Sequence, residues 1–145
     1  MVMPHPLEAT IRDAYAAFGR GDGHVFASCC AEDFVLTVPG HCLLTGIYGG
    51  PGGLEEFARK IEGIAGQTFR DEVEHVLAND RHAFVLARHR FVREGRPREY
   101  QTLHAYLIRD GRLARCWEHP CDLAAFDDAW GEAEGAGAQG GGSAG

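Results

Sequence analysis

The chain has 145 residues and a hydrophobic fraction of 45%, enough for one domain with one core and too little for a second. Its 21 acidic residues against 14 basic ones give a formal charge of −7, a sign that repels a phosphate backbone and argues against nucleic acid as a partner. No apolar run approaches the roughly 18 residues needed to cross a bilayer, and the N-terminus MVMPHPLEAT lacks the basic and apolar regions of a signal peptide. The expectation is a cytoplasmic protein with no membrane partner.

In chain order, Pro6 opens a helix at a position where its missing N–H costs nothing. Leu7, Ile11, Ala14, Tyr15 and Phe18 recur at helical spacing until Gly19, Gly21 and Gly23 stop it. A short helical piece from His24 to Ala31 leads to the β-prone run Phe34–Val38, which Pro39-Gly40 ends. The next stretch begins as loop or irregular strand and turns helical after Gly53, with Leu54, Phe57, Ala58, Ile61 and Ala65 as its buried stripe. The glycines from Gly49 to Gly53 lack both the Gly-Lys-Ser/Thr ending and the GxGxxG spacing. They read as an entry loop rather than a phosphate site.

From Thr68 the period changes from 3.6 to 2. Thr68–Ala78, Ala83–Arg93, Arg98–Ile108 and Leu113–Pro120 read as four strands separated by Asn79-Asp80, Glu94-Gly95 and Asp110-Gly111. Helices followed by an antiparallel meander indicate an α+β fold with helices against one face of a curved sheet. Asp122 can cap a last helical turn that runs to Trp130. Residues 1–130 then form the domain, and Gly131 to Gly145, with almost nothing to bury, is expected to be a flexible tail.

The densest chemistry lies between Tyr100 and Cys121, where His104, Tyr106, Cys116, Glu118 and His119 flank the turn at Asp110-Gly111. A two-residue turn places His104 opposite Trp117 and sends Glu118 to the other face. A three-residue loop with a left-handed glycine places His104 opposite Cys116, with Glu118 on its own face opposite Thr102. In the second arrangement Thr102, His104, Tyr106, Ala114, Cys116 and Glu118 form a pocket wall, while Leu103, Ala105, Leu107, Leu113, Trp117 and His119 face outward. A Cys116–His104 thiolate pair lacks an evident orienting group. A metal site from His104, Glu118 and His41 or His89 lacks motif spacing. The five cysteines, odd in number and without a CxxC pair, read as reduced and mostly buried thiols.

Several stretches resemble the nuclear-transport-factor-like superfamily, which includes ketosteroid isomerase, scytalone dehydratase and the SnoaL-like polyketide cyclases. They are Ala17-Phe18-Gly19-Arg20-Gly21-Asp22, Val38-Pro39-Gly40, Gly46-Ile47-Tyr48-Gly49, and Ile108 through Leu113 to Trp117-Glu118. The resemblance implies a cone-shaped curved sheet, mostly antiparallel, wrapped around N-terminal helices with one ligand pocket inside. It implies His104 and Glu118 as an acid–base pair, Glu118 standing where an Asp is usual, and it favours the three-residue loop. Tyr15, Phe18, Val38, Phe57, Thr102, Tyr106 and Cys116 are then expected to line the substrate site. The implied function is cofactor-free cyclisation, isomerisation, dehydration or hydrolysis of a mostly apolar or polycyclic small molecule, in a homodimer joined through the outer sheet face. A non-catalytic carrier of the same fold is the alternative. The ketosteroid-isomerase route itself is not supported, because Val38 and Ala14 stand where its base and tyrosine belong.

Overall fold

Helix α1 (Pro6–Gly19) starts at a reciprocal cap, in which Leu7 N–H donates to His5 Nδ1 and His5 N–H donates to Glu8 Oε2, each at 3.2 Å. Its buried positions Ile11, Ala14 and Tyr15 form one stripe, which sends the Tyr15 side chain inward. The computed structural model describes residues 3–133. A short helix α2 (Gly23–Ser28), strands β1 (Cys30–Val38) and β2 (Gly46–Gly49), and helix α3 (Gly50–Ala65) complete the first half. The second half is a meander of β3 (Arg70–Ala78), β4 (His82–Arg93), β5 (Arg96–Arg109) and β6 (Arg112–Pro120), closed by α4 (Leu123–Trp130).

The strands make one six-stranded sheet in the order β2-β1-β6-β5-β4-β3, antiparallel except where β1 runs parallel to β6. The meander was legible as four strands; β1 is longer than its apolar run suggests, and β2 is a true strand rather than loop. Helix α3 begins at Gly50, four residues before Leu54, where its apolar stripe starts. Gly53 is required there, since a Cβ would stand 2.6 Å from the carbonyl carbon of Tyr48. Asp122 caps α4 through Oδ1, which accepts from Ala125 N–H at 3.0 Å. Trp130 at its end stacks on Phe91 with centroids 4.2 Å apart.

The expected boundary at residue 130 falls too early. Gly131 C=O accepts from Leu43 N–H at 2.8 Å, and Ala133 N–H donates to His41 C=O at 3.2 Å, so these residues pair with the loop after β1. The rest of the expected tail, from residue 134, lies outside the described residues.

The turn between β5 and β6 is a two-residue one, with Asp110 and Gly111 at φ 53° and 75° and Arg109 opposite Arg112. The three-residue loop favoured by the resemblance is therefore incorrect. Register nevertheless changes beyond the turn: Ile108 pairs with Leu113, but Leu107 pairs with Arg115. Ala114 is the extra residue of a β-bulge, and it moves every later residue of β6 by one place. His104 consequently faces Glu118 directly, and Ala105 faces Trp117, a pairing that neither turn alone provides. Leu113 also leaves the outer face, where it was expected, and is buried at 1% exposure.

Candidate active site

The inner wall is set by cross-strand neighbours. On β4, Ala83, Val85 and Ala87 lie opposite Tyr106, His104 and Thr102 of β5. Small side chains on one strand leave room for large polar ones on the next. Helices α1 and α3 cover this concave face, and the cavity between has a free volume of about 50 Å³, room for a few water molecules. Eight aromatic rings border it together with His89, His104, Asp71, Glu118 and Cys116. No lysine or arginine does.

His104 Nε2 lies 2.8 Å from Glu118 Oε1, and both side chains are buried. A carboxylate in an apolar wall costs several kcal/mol unless it is paired, and the imidazole supplies the pairing. Nδ1 of His104 meets the Tyr15 hydroxyl at 2.5 Å, and that hydroxyl also contacts the Tyr106 hydroxyl. Burial pushes the Tyr15 and Tyr106 phenols well above the ordinary range, so both remain protonated donors at neutral pH. The Cys116 thiol is raised likewise, by burial and then by the Glu118 charge, which removes it as a thiolate nucleophile at that pH.

A second carboxylate–imidazole pair shares the wall. Asp71 at the start of β3 stands opposite His89 of β4, with Oδ1 2.5 Å from Nδ1. His89 is clamped between Phe69 and Tyr100, with ring centroids 5.9 and 4.7 Å away. Its Nε2 lies 2.6 Å from Thr102 Oγ1, which in turn lies 3.0 Å from His104 Nε2.

With the carboxylates ionised and both imidazoles neutral, the donors and acceptors in these contacts order the protons. His89 Nδ1–H donates to Asp71, so Thr102 O–H must donate to His89 Nε2. Thr102 then accepts from His104 Nε2–H, the proton that also faces Glu118 Oε1 at 2.8 Å. Nδ1 of His104 is left bare, and Tyr15 O–H donates to it.

Of the expected site residues, the structure brings Tyr15, Phe18, Phe57, His104, Tyr106, Cys116 and Glu118 to the cavity. Val38 and Thr102 do not line it. Val38 packs in the core at the end of β1, and Thr102, at 0% exposure, lies behind the two histidines and joins them. Tyr15, rather than Ala14, carries the phenol of α1 into the cone. Asp71 was missed and His89 was considered only as a metal ligand. Each is a polar residue interrupting an inward alternation, Phe69-Asp71-Val73 and Ala87-His89-Phe91, and that is the signal that marks them. Among the described residues, no group of three or more His, Cys, Asp or Glu is placed to hold a metal ion. No helix among them is long and apolar enough to cross a membrane.

A mixed, curved sheet folded over N-terminal helices, with ionisable groups on its concave face, defines the nuclear-transport-factor-like class of small α+β proteins. Within that class the chain belongs to the SnoaL-like domain family, which it matches over residues 11–116. It is 29% identical over 121 residues to an uncharacterized protein of Mycobacterium tuberculosis strain H37Rv, covering 83% of this chain and 92% of the relative. Among solved structures it is similar to Bal32a from a soil-derived mobile gene cassette, with TM-score 0.78, 27% identity and coverage of 85% and 95% of the two chains. It also superimposes on a putative SnoaL-like polyketide cyclase from Jannaschia sp. CCS1, with TM-score 0.70, 16% identity and coverage of 90% and 97%.

Proposed function

We propose that this protein is a cofactor-free acid–base enzyme of the SnoaL-like type, acting on a small neutral molecule with His104 and Glu118 as the reacting pair. One observation carries the reading. Glu118 Oε2 is buried on the cavity wall with no hydrogen-bond partner, while Oε1 is engaged by His104. A native carboxylate oxygen left without a donor is unusual, and a ligand O–H, N–H or acidic C–H would satisfy it. Glu118 Oε2 then takes the proton and returns it later in the reaction, while His104 at Oε1 stabilises the carboxylate. Tyr15, held protonated, can swing its O–H from His104 Nδ1 to a ligand oxygen that gains charge.

The ligand class follows from the lining. Two carboxylates without a lysine or arginine disfavour anions, and the aromatic walls favour an apolar body. A polycyclic ligand requires α1 and α3 to part, because the free volume is only about 50 Å³. The test is to identify a co-purified ligand by native mass spectrometry and assay its turnover. His104→Ala and Glu118→Gln should each lower kcat at least about 100-fold while the fold is retained. Unchanged turnover in both overturns the reading.

A non-catalytic carrier is supported by a different observation, that every imidazole nitrogen of His89 and His104 already has a protein partner. Ligand recovered unchanged after incubation with the wild type favours it. In either case the chain pairs as a homodimer through its outer sheet face. A row of side chains runs across all six strands there, Leu77, Phe84, Ala105, Trp117, Thr37 and Ile47, and its four large members are exposed.

A further inference from the structure

We propose that Thr102, His89 and Asp71 form a proton route connecting His104 with the outside of the cone. The inference rests on the acid–base reading of His104, and extends it to residues that do not touch the reacting atoms.

The contacts form an unbroken file: His104 Nε2 to Thr102 Oγ1 at 3.0 Å, Thr102 Oγ1 to His89 Nε2 at 2.6 Å, and His89 Nδ1 to Asp71 Oδ1 at 2.5 Å. With the His104 Nε2–H given to Thr102 rather than to Glu118 Oε1, the donors all point one way, from His104 toward Asp71. Asp71 stands where the file can discharge. It borders the internal cavity and also the surface groove lined by Gly19, Arg20, Gln67 and Arg70, at the ends of α1 and α3. A second buried carboxylate beside a site that needs one has no packing rationale, since an apolar residue of like size would fill the same space at lower cost.

The transfer balances in one pass. A proton passed from the Tyr15 hydroxyl to His104 Nδ1, and replaced on Tyr15 from the cavity side, makes an imidazolium, which releases the Nε2 proton to Thr102. Thr102 passes its own proton to His89 Nε2, and His89 releases the Nδ1 proton to Asp71 and thence to water in the groove. Each group gains one proton and loses one. The file ends reversed, with His104 carrying its proton on Nδ1, and a second proton moving inward restores the starting state. The buried histidine thereby exchanges protons with solvent without water entering the apolar cavity.

The route is testable without a substrate, by measuring water exchange of the His104 ring N–H with 15N-labelled protein at fixed pH. Wild type and Thr102→Ser, which keeps the hydroxyl, should exchange at similar rates. Thr102→Val, which keeps the shape and removes the hydroxyl, should exchange at least about tenfold more slowly with backbone amide protection unchanged. Asp71→Asn, which cannot take up the last proton, should slow exchange as well, and it decides the question if Thr102→Val does not fold. Exchange in these variants as fast as in the wild type overturns the route and means that water reaches His104 directly. Failure of the acid–base reading is read separately, from turnover in the His104 and Glu118 variants.

Discussion

Glu118 stands opposite His104 because Ala114 occupies an extra place on β6, and the two side chains meet at 2.8 Å on the apolar inner face of the sheet. The pair therefore owes its existence to a backbone irregularity four residues before Glu118. Its energetics are those of a buried carboxylate and the imidazole that offsets its desolvation, each tolerable only in the presence of the other.

A double-mutant cycle measures that dependence. His104→Leu alone leaves Glu118 charged and unpaired and should cost about 3 kcal/mol in urea unfolding. His104→Leu with Glu118→Leu should cost less than either single change, because both desolvation penalties disappear together. Additive losses would show that the two residues do not act as a pair.

Two glycines of the same helix should respond with opposite signs. Gly53→Ala drives a methyl against the Tyr48 backbone at 2.6 Å and should destabilise by about 1–3 kcal/mol. Gly63→Ala meets nothing within 4 Å and should stabilise by about 0.5–1 kcal/mol through helix propensity. Equal effects in chemical denaturation would contradict the packing of α3 on β2.

All four tyrosines, Tyr15, Tyr48, Tyr100 and Tyr106, have phenols raised by burial. An acid whose folded pKa is raised contributes full stability below its unfolded value, near 10, and loses it as pH rises beyond. Absorbance at 295 nm should therefore show no phenolate while the native circular dichroism persists near pH 10. Phenolate should then appear together with unfolding at higher pH. A tyrosine that titrates near pH 10 in the folded protein would show that its ring is open to water.

The apolar row on the outer face predicts a concentration-dependent dimer in analytical ultracentrifugation. Trp117→Glu, at a position only 36% exposed in the single chain, should give a monomer with an unchanged fold. A wild type that sediments as a monomer at all concentrations removes the proposed interface.

The architecture was legible because its period changes once, from the helical stripes of α1 and α3 to the alternation of β3 through β6. The site was legible less directly. His104 and Glu118 stood out by resemblance, yet their shared face was attributed to the length of the turn. Bulges leave no mark in the alternation except two adjacent apolar residues, here Leu113 and Ala114, which also read as an ordinary strand start. The pairing of Asp71 with His89 was missed for another reason. They lie 18 residues apart, and only the bulged register of β3 on β4 brings them face to face. Helical spacing put Tyr15 on the buried face of α1 and the resemblance put it in the pocket, but its bond to His104 crosses 89 residues and follows from no local pattern.

The bulge at Ala114 makes the acid–base pair a matter of odd and even. Deleting Arg115 with the bulge kept would turn Trp117 inward and the carboxylate outward, whereas deleting Ala114 itself would abolish the bulge and leave Glu118 opposite His104. Removing two restores the alternation but carries a different pair of residues to the wall. Relatives that keep this chemistry are consequently bound to a fixed count of residues between histidine and acid, or to a compensating bulge wherever that count changes by one. Length variation, elsewhere confined to loops, is tolerated in the middle of this strand only together with the gain or loss of a bulge.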